Sequence, residues 1–525
     1  MKILVSPYPG ASFEERDVDK ETTLEEIYNG FDSSVRHRVF AANVNNDIKA
    51  MNYKVHNVCT VQFLDITSKS AFIIYQNSLI LLMLRAAVDV IGDRTVEVRM
   101  SLCDGVFIEF GDEGITEEEV EKIEERMKEL VDLDLPVSRN DEDHAEYTLD
   151  GFTAKFYSHL VPRTGYLDLF KLMKYSDGLL LRYAQIENPD SIADFEDDKM
   201  MFQAFCEQSK WNELLGVRYI KDINEKVRAG ECTEMIKLSE ALHDKKIVDI
   251  ADEITKKGKR IILILGPSSS GKTTTAKRLA IQLKVNGLNP FYVSTDDYFL
   301  ERDETPRDEN GEYNFEGVDA IDVELFTNNM NDLLEGKEVD VPVFDFIKGG
   351  KTFGTRMTRL NPDQPIIIEG IHSFNPALTG GIPDKEKYKI YISPLTQINI
   401  DRYNRIPTTD TRLIRRMVRD SWSRNYDAVR TLENWEKVHE GEIENIFPFT
   451  NEADVFFNTV HIYEVCVLKK YAMPMLEKIT RDVPEYAEAQ RLIKYLKYVE
   501  EFDDEELIGS DSILREFIGG SIYAK

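Results

Sequence analysis

Ile261-Ile262-Leu263-Ile264-Leu265-Gly266-Pro267-Ser268-Ser269-Ser270-Gly271-Lys272-Thr273-Thr274-Thr275 is the stretch that decides the reading of this chain. Five aliphatic residues of strand character run into a Gly/Ser loop, and a helix-like segment, Ala276 to Val285, follows. The loop has the spacing Gly-x-x-x-x-Gly-Lys-Thr, a phosphate-binding pattern. Small residues let successive N–H groups curl around a phosphate, and the N-terminus of the next helix adds partial positive charge. Gly266, Pro267, Ser268, Ser269, Ser270, Gly271, Lys272, Thr273 and Thr274 are therefore the expected cradle for ATP. Lys272 is placed to reach the β- and γ-phosphates and the Thr273 hydroxyl to ligate Mg²⁺.

Downstream, residues 290–295 read as a second strand that ends in Asp296-Asp297-Tyr298. In a doubly wound sheet, a carboxylate at the C-terminal end of a strand faces the ligand crevice. Asp296 is thus a candidate for accepting a proton from a substrate hydroxyl or for ordering Mg²⁺, whereas Asp297 reads as a cap for the following helix. Residues 365–371 form a third, wholly apolar run that suits a strand buried on both faces, and it ends in Glu369. That acid occupies the position of a carboxylate that orients hydrated Mg²⁺. Further on, Arg412, Arg415, Arg416 and Arg419 share one face at 3.6 residues per turn, with Arg424 and Arg430 beyond. A concentrated arginine face in an acidic chain calls for an anionic ligand, since guanidinium forks match phosphate oxygens.

The 525 residues carry Lys+Arg 65 against Asp+Glu 95, a formal charge of -30. Such acidity disfavours nucleic-acid backbones. Five scattered cysteines without a Cys-x-x-Cys pattern suit reduced thiols rather than a disulfide framework. The first residues lack the apolar core of a signal peptide, and Ser78 to Val90, interrupted by Arg85, reads as a buried helix too short to span a bilayer. The expectation is a cytoplasmic protein with no membrane partner. Thr22-Thr23-Leu24 marks a capped helix start, residues 44–48 a hairpin turn, residues 106–110 a strand and residues 115–127 a capped, charged helix. Residues 201–257, with Met235, Leu238 and Leu242 at helical spacing, read as a helical connector.

Two resemblances organise these pieces. Gly266–Thr273, Asp296-Asp297-Tyr298, residues 314–322 and 341–346, Glu369-Gly370-Ile371 and residues 415–420 occur in the order and spacing of uridine–cytidine kinases, relatives of phosphoribulokinase. The resemblance implies an α/β phosphate-loop kinase domain with a doubly wound parallel sheet at 258–480, followed by a C-terminal helical tail at 481–525. It also implies ATP- and Mg²⁺-dependent phosphotransfer to a small alcohol, a nucleoside 5′-hydroxyl first, with a sugar phosphate as the alternative acceptor. By the same resemblance Asp296 is the general base, aided by Lys272, Arg419 and Arg424. Thr273, Glu369 and Asp296 serve Mg²⁺, and Asp319, Phe344, Phe346, Arg416 and Arg419 contact substrate. Two departures stand out: Phe344 replaces the family's base-contacting tyrosine, and Lys348-Gly349-Gly350 lacks its histidine. Lost polar contacts of this kind change discrimination between bases by orders of magnitude.

The N-terminal part resembles modules of threonyl-tRNA synthetases, a ubiquitin-like TGS unit at 1–65 and the second additional (editing) domain at 66–200. The positions of that domain's metal ligands fall on Asn77, Leu81, Phe156 and Leu160, which implies an editing fold without editing chemistry. A regulator that binds ATP and senses tRNA or an amino acid through this half is the competing reading, and a homo-oligomer is compatible with either.

Overall fold

The structure, a computed structural model, describes residues 1–31, 37–140, 145–307, 311, 313–345, 348–502 and 504–523. Strands β1 (Lys2–Ser6), β2 (Glu14–Asp17), β3 (Val39–Val44), β4 (Asp47–Ala50) and β5 (Thr60–Asp65) form one sheet in the order β2-β1-β5-β3-β4. Helix α1 (Leu24–Tyr28) starts at Thr23, whose side chain makes a reciprocal capping box with Glu26. Asn45 and Asn46 take positive φ at the β3–β4 turn, as their short side chains allow.

Helix α2 (Lys69–Ile91) is longer than the sequence pattern suggested, at 23 residues. By length and composition it could cross a membrane, so the expectation of a segment too short to span is corrected. Its apolar side chains are instead spent inside the protein, against β6 (Val96–Leu102), β7 (Gly105–Phe110) and the capped helix α3 (Glu117–Asp132). Arg85 ends on the Asp150 carboxylate, 2.8 Å away. The chain continues through β8 (Val137–Arg139), β9 (Glu146–Leu149), β10 (Phe152–Lys155), β11 (Phe170–Tyr175) and β12 (Gly178–Tyr183). β11-β12-β7-β6 make an antiparallel sheet under α2 and α3, and β10-β9-β8 a second, smaller one.

Three helices, α4 (Lys199–Leu214), α5 (Ile220–Ala229) and α6 (Cys232–Lys257), lead to the strand before the phosphate loop. α5 and α6 share a buried core with the parallel sheet that follows rather than merely linking to it. Within α6, Met235 is buried but Leu238 points outward at 44% exposure, and the packing face continues through Ile236 and His243 instead.

The sheet that carries the phosphate loop has five strands, all parallel: β13 (Ile261–Leu265), β14 (Phe291–Ser294), β19 (Ile366–Glu369), β20 (Lys387–Ser393) and β21 (Val455–Asn458), ordered β14-β19-β13-β20-β21. β13 lies at the centre and every one of its side chains is fully buried, which is why it reads as an unbroken aliphatic run. Helix α7 (Lys272–Val285) follows it directly, and α8 (Val323–Leu334) follows β14. Between α8 and β19, β15 (Glu338–Asp340) pairs with β18 (Met357–Arg359), and β16 (Val343–Asp345) pairs with β17 (Gly350–Thr352). A one-turn helix, α9 (Pro376–Thr379), precedes β20. Beyond β20 come α10 (Thr408–Ser423), α11 (Ala428–Glu433) and α12 (Trp435–Asn445), and after β21 α13 (Glu464–Leu476), α14 (Tyr486–Leu496) and α15 (Arg515–Ile518). The segment expected as a helical tail is largely irregular after α14, and its apolar residues enter the same core as α6 and α13. The N-terminal modules are tied to this domain by hydrogen bonds such as Asn399 Nδ2 to Val98 O (2.8 Å) and Asn404 Nδ2 to Lys155 O (2.8 Å).

Candidate active site

The site forms where β13, β14 and β19 end. Residues 266–271 turn between β13 and α7, and two glycines make the turn feasible. Gly271 sits at φ +87°, and a Cβ on Gly266 would come within 2.5 Å of the Ile392 carbonyl. The three carbonyls of Ser268, Ser269 and Ser270 are held from outside by Arg412 Nε (3.0 Å), Arg415 Nη1 (3.3 Å) and Thr459 Oγ1 (2.6 Å). In a trans peptide the next N–H points opposite to the carbonyl, so these bonds direct N–H groups into the loop. Lys272 Nζ folds over the same loop, donating to Gly266 O at 2.9 Å. The Ser269 and Ser270 hydroxyls are buried with no partner among the described residues.

The arginine face therefore divides. Arg412 and Arg415 are not ligand-facing as their spacing suggested. Both are buried and ion-paired, Arg412 with Glu442 and Arg415 with Glu464 (2.6 Å), and they act on the loop through its carbonyls. Arg416 remains at the site, donating to Ser268 Oγ at 2.8 Å, while burial lowers its pKa. Arg419 and Arg424 meet at the buried Asp420, 2.8 and 3.4 Å from its oxygens, so this carboxylate anchors both. Arg415→Ala is expected to destabilise the domain by about 3–5 kcal/mol, because Glu464 would stay buried without its counter-charge. Urea unfolding reads this directly, and a shift below about 1 kcal/mol would show that the pair does not compensate Glu464.

Glu369, 6% exposed at the end of β19, gathers the hydroxyl groups around it. Tyr292 OH donates to its Oε1 at 2.8 Å, Ser294 Oγ at 3.3 Å and Thr273 Oγ1 at 3.4 Å. Burial and the adjacent carboxylate push the Tyr292 phenol well up, so it stays a donor. Thr273 and Glu369, predicted as a pair on Mg²⁺, are thus brought together, and the hard oxygens match that cation's preference. Asp296 follows β14 and stays open to solvent. Desolvation by the surrounding chain and the charge of Glu369 push its pKa up to about 7, against the pull of Lys272. A carboxyl poised near neutrality is suited to general base work.

Asp297 does not cap a helix; it pairs with Arg356 at 2.7 Å, and the same arginine holds Tyr292 O at 2.9 Å, which fixes the end of β14. Asp319 is exposed on the short turn 318–320. Phe344 is 7% exposed and packs its ring 5.7 Å from that of Phe299, so it belongs to the core beneath the cleft rather than to its surface. Phe346 lies outside the described residues. The sequence reading missed Glu316, whose pKa burial raises against the pull of Arg416, and Glu442, which accepts from the Ser268 N–H at 3.0 Å. Arg412 and that N–H, against the effect of burial, hold Glu442 below the usual carboxylate range. Glu316 stands inside the stretch 314–322 that carried the resemblance and was legible only as part of a motif. Nothing local in the sequence marked Glu442.

In the N-terminal half, Leu81, Phe156 and Leu160 are buried in one core, and Asn77 Nδ2 donates to Ser158 Oγ at 2.8 Å.

Residues 261–466 match the Phosphoribulokinase / Uridine kinase family. Over 179 residues the chain is 28% identical to the uridine kinase of Ligilactobacillus salivarius, covering 34% of this chain and 74% of that protein. It is 28% identical over 199 residues to the uridine kinase of Chloroflexus aurantiacus, which spans 38% of this chain and 85% of the relative. Over 196 residues it is 29% identical to uridine kinase-like protein 3 of Arabidopsis thaliana, 37% of this chain and 38% of that one. The region from β13 to the start of α13 is accordingly a P-loop kinase domain, and the protein is a kinase.

Proposed function

We propose that this kinase domain transfers the γ-phosphate of ATP to the 5′-hydroxyl of a nucleoside, uridine first among the candidates because the similar bacterial enzymes are uridine kinases. The observation that carries the reading is the meeting of Asp296, Glu369, Thr273 and Lys272 at one end of the parallel sheet. The N–H groups of Ser269 and of 271–273 would cradle the phosphates, and Lys272 would leave its carbonyl partners for the β- and γ-phosphate oxygens. Thr273 and Glu369 would hold Mg²⁺, which when bound neutralises charge on the phosphates. Asp296 would take the proton of the acceptor hydroxyl as its oxygen attacks phosphorus. Arg416, with Arg419 and Arg424 anchored on Asp420, would face the charge that develops on the γ-phosphoryl oxygens. Asp319 and the paired strands β16 and β17 would border the acceptor. The buried Phe344 leaves base recognition to groups other than a phenol at that position, so acceptors other than uridine belong in the test. ADP release measured with and without nucleosides or sugar phosphates checks the reading. Release that depends on an acceptor is expected, and release insensitive to every acceptor would contradict it.

For residues 1–65 and 66–200 we propose a TGS-like and an editing-domain-like module that carry no hydrolytic chemistry. The positions expected to bind metal are occupied by Leu81, Phe156 and Leu160, which pack as core, and by Asn77, already committed to Ser158. One amide oxygen does not hold a zinc ion or acidify its water. The full chain is expected to contain no stoichiometric zinc and to leave mischarged tRNA intact. Chelator-sensitive deacylation would overturn this assignment.

A further inference from the structure

Helix α7 begins at Gly271, which has no side chain with which to cap it. An N-cap side chain ordinarily accepts from the N–H two or three residues further on. Here the third residue is Thr274, and its N–H donates to Glu516 Oε2 at 3.3 Å while its hydroxyl donates to the same oxygen at 2.5 Å. The cap arrives from 242 positions downstream. The segment delivering it is built into the fold: Ser512, Ile513, Leu514 and Phe517 are wholly buried. Trp422 Nε1 donates to Phe517 O at 2.7 Å, and the Arg415 guanidinium lies 4.7 Å from the centre of the Phe517 ring. A Cβ on Gly271 would come within 2.7 Å of Ile513. At the other end of the loop the Ser268 N–H goes to Glu442. Two carboxylates thus bracket the N–H donors of Ser269 and of 271–273.

We propose that the C-terminal segment is a wall of the phosphate site and that Glu516 is a positioning residue within it. Glu516 caps α7 in trans through Thr274, and its negative charge, held beside the donors that cradle a polyphosphate, weakens nucleotide binding. The cap fixes the turn that carries Lys272 and Thr273, while the charge opposes the phosphates those residues attract. This inference rests on the nucleotide site proposed above.

Two substitutions separate the effects. Glu516→Gln keeps an acceptor oxygen at the same reach but removes the charge. Glu516→Asp keeps the charge but is one methylene too short to span to Thr274. Binding of Mg·ATP and of ADP to the full chain is measured by titration calorimetry, with KM and kcat determined alongside. Glu516→Gln is expected to bind both nucleotides about fivefold tighter, with KM for ATP lowered in step. Glu516→Asp is expected to show no gain in affinity and to lose about tenfold in kcat, as the turn holding Lys272 loses its cap. Unchanged or weaker affinity in Glu516→Gln overturns the charge role, and wild-type kcat in Glu516→Asp overturns the cap role. If the aspartate variant does not fold, the affinity of the glutamine variant still decides. A wild-type chain that binds neither ATP nor ADP takes down the nucleotide site itself, whereas wild-type binding without a gain in Glu516→Gln removes only this inference.

Discussion

Lys272→Ala is expected to abolish Mg·ATP-dependent phosphotransfer while the chain stays folded. The side chain is bonded to the loop carbonyls of Gly266 and Pro267, and its ammonium is the mobile cation that the phosphates would recruit. Phosphoryl transfer in such a site relies on positioning and charge neutralisation, so removing the one lysine of the loop removes a principal part of both. The buried pairs that hold the loop's outer side, Arg412 with Glu442 and Arg415 with Glu464, remain intact in the variant. Turnover with ATP and uridine, together with an unfolding midpoint, checks both halves of the statement. Activity near wild type in the purified, folded variant would remove the phosphate loop from the chemistry.

Asp296→Asn is expected to retain nucleotide binding and to lose turnover by a factor of about 10²–10⁴, the usual worth of a positioned general base. An asparagine keeps the shape and the hydrogen-bonding oxygen but cannot take a proton. The Asp296 side chain is exposed at the end of β14, so the fold is expected to survive the exchange. The decisive readout is kcat against the dissociation constant for ATP. Loss of both in parallel would assign Asp296 to nucleotide binding, and loss of neither would reduce it to a turn residue.

Features of the site with local causes could be read from the sequence. The aliphatic run 261–265 predicts a strand buried on both faces, and the Gly/Ser spacing after it requires a phosphate-sized turn; β13, Gly271 and α7 follow. Asp296 and Glu369 were legible because an acid ending an apolar strand has few structural uses. The arginine helix shows the limit. Its spacing places Arg412, Arg415, Arg416 and Arg419 on related faces, but their duties depend on Glu442, 30 positions on from Arg412, and Glu464, 49 on from Arg415. Phe344 was expected by resemblance to contact substrate, yet it is buried against the ring of Phe299 in the core. The contact of Glu516 with Thr274 had no local signal at all, since the chain must close 242 positions to make it.

The most direct test of the central claim is the identity of the product. The full chain is incubated with Mg·ATP and a panel of nucleosides and sugar phosphates, and the reaction is analysed by mass. The account predicts a nucleoside 5′-monophosphate formed in equal amount to ADP, absent in Lys272→Ala. ADP accumulating with no phosphorylated member of the panel, or with a sugar bisphosphate as the sole product, would contradict it.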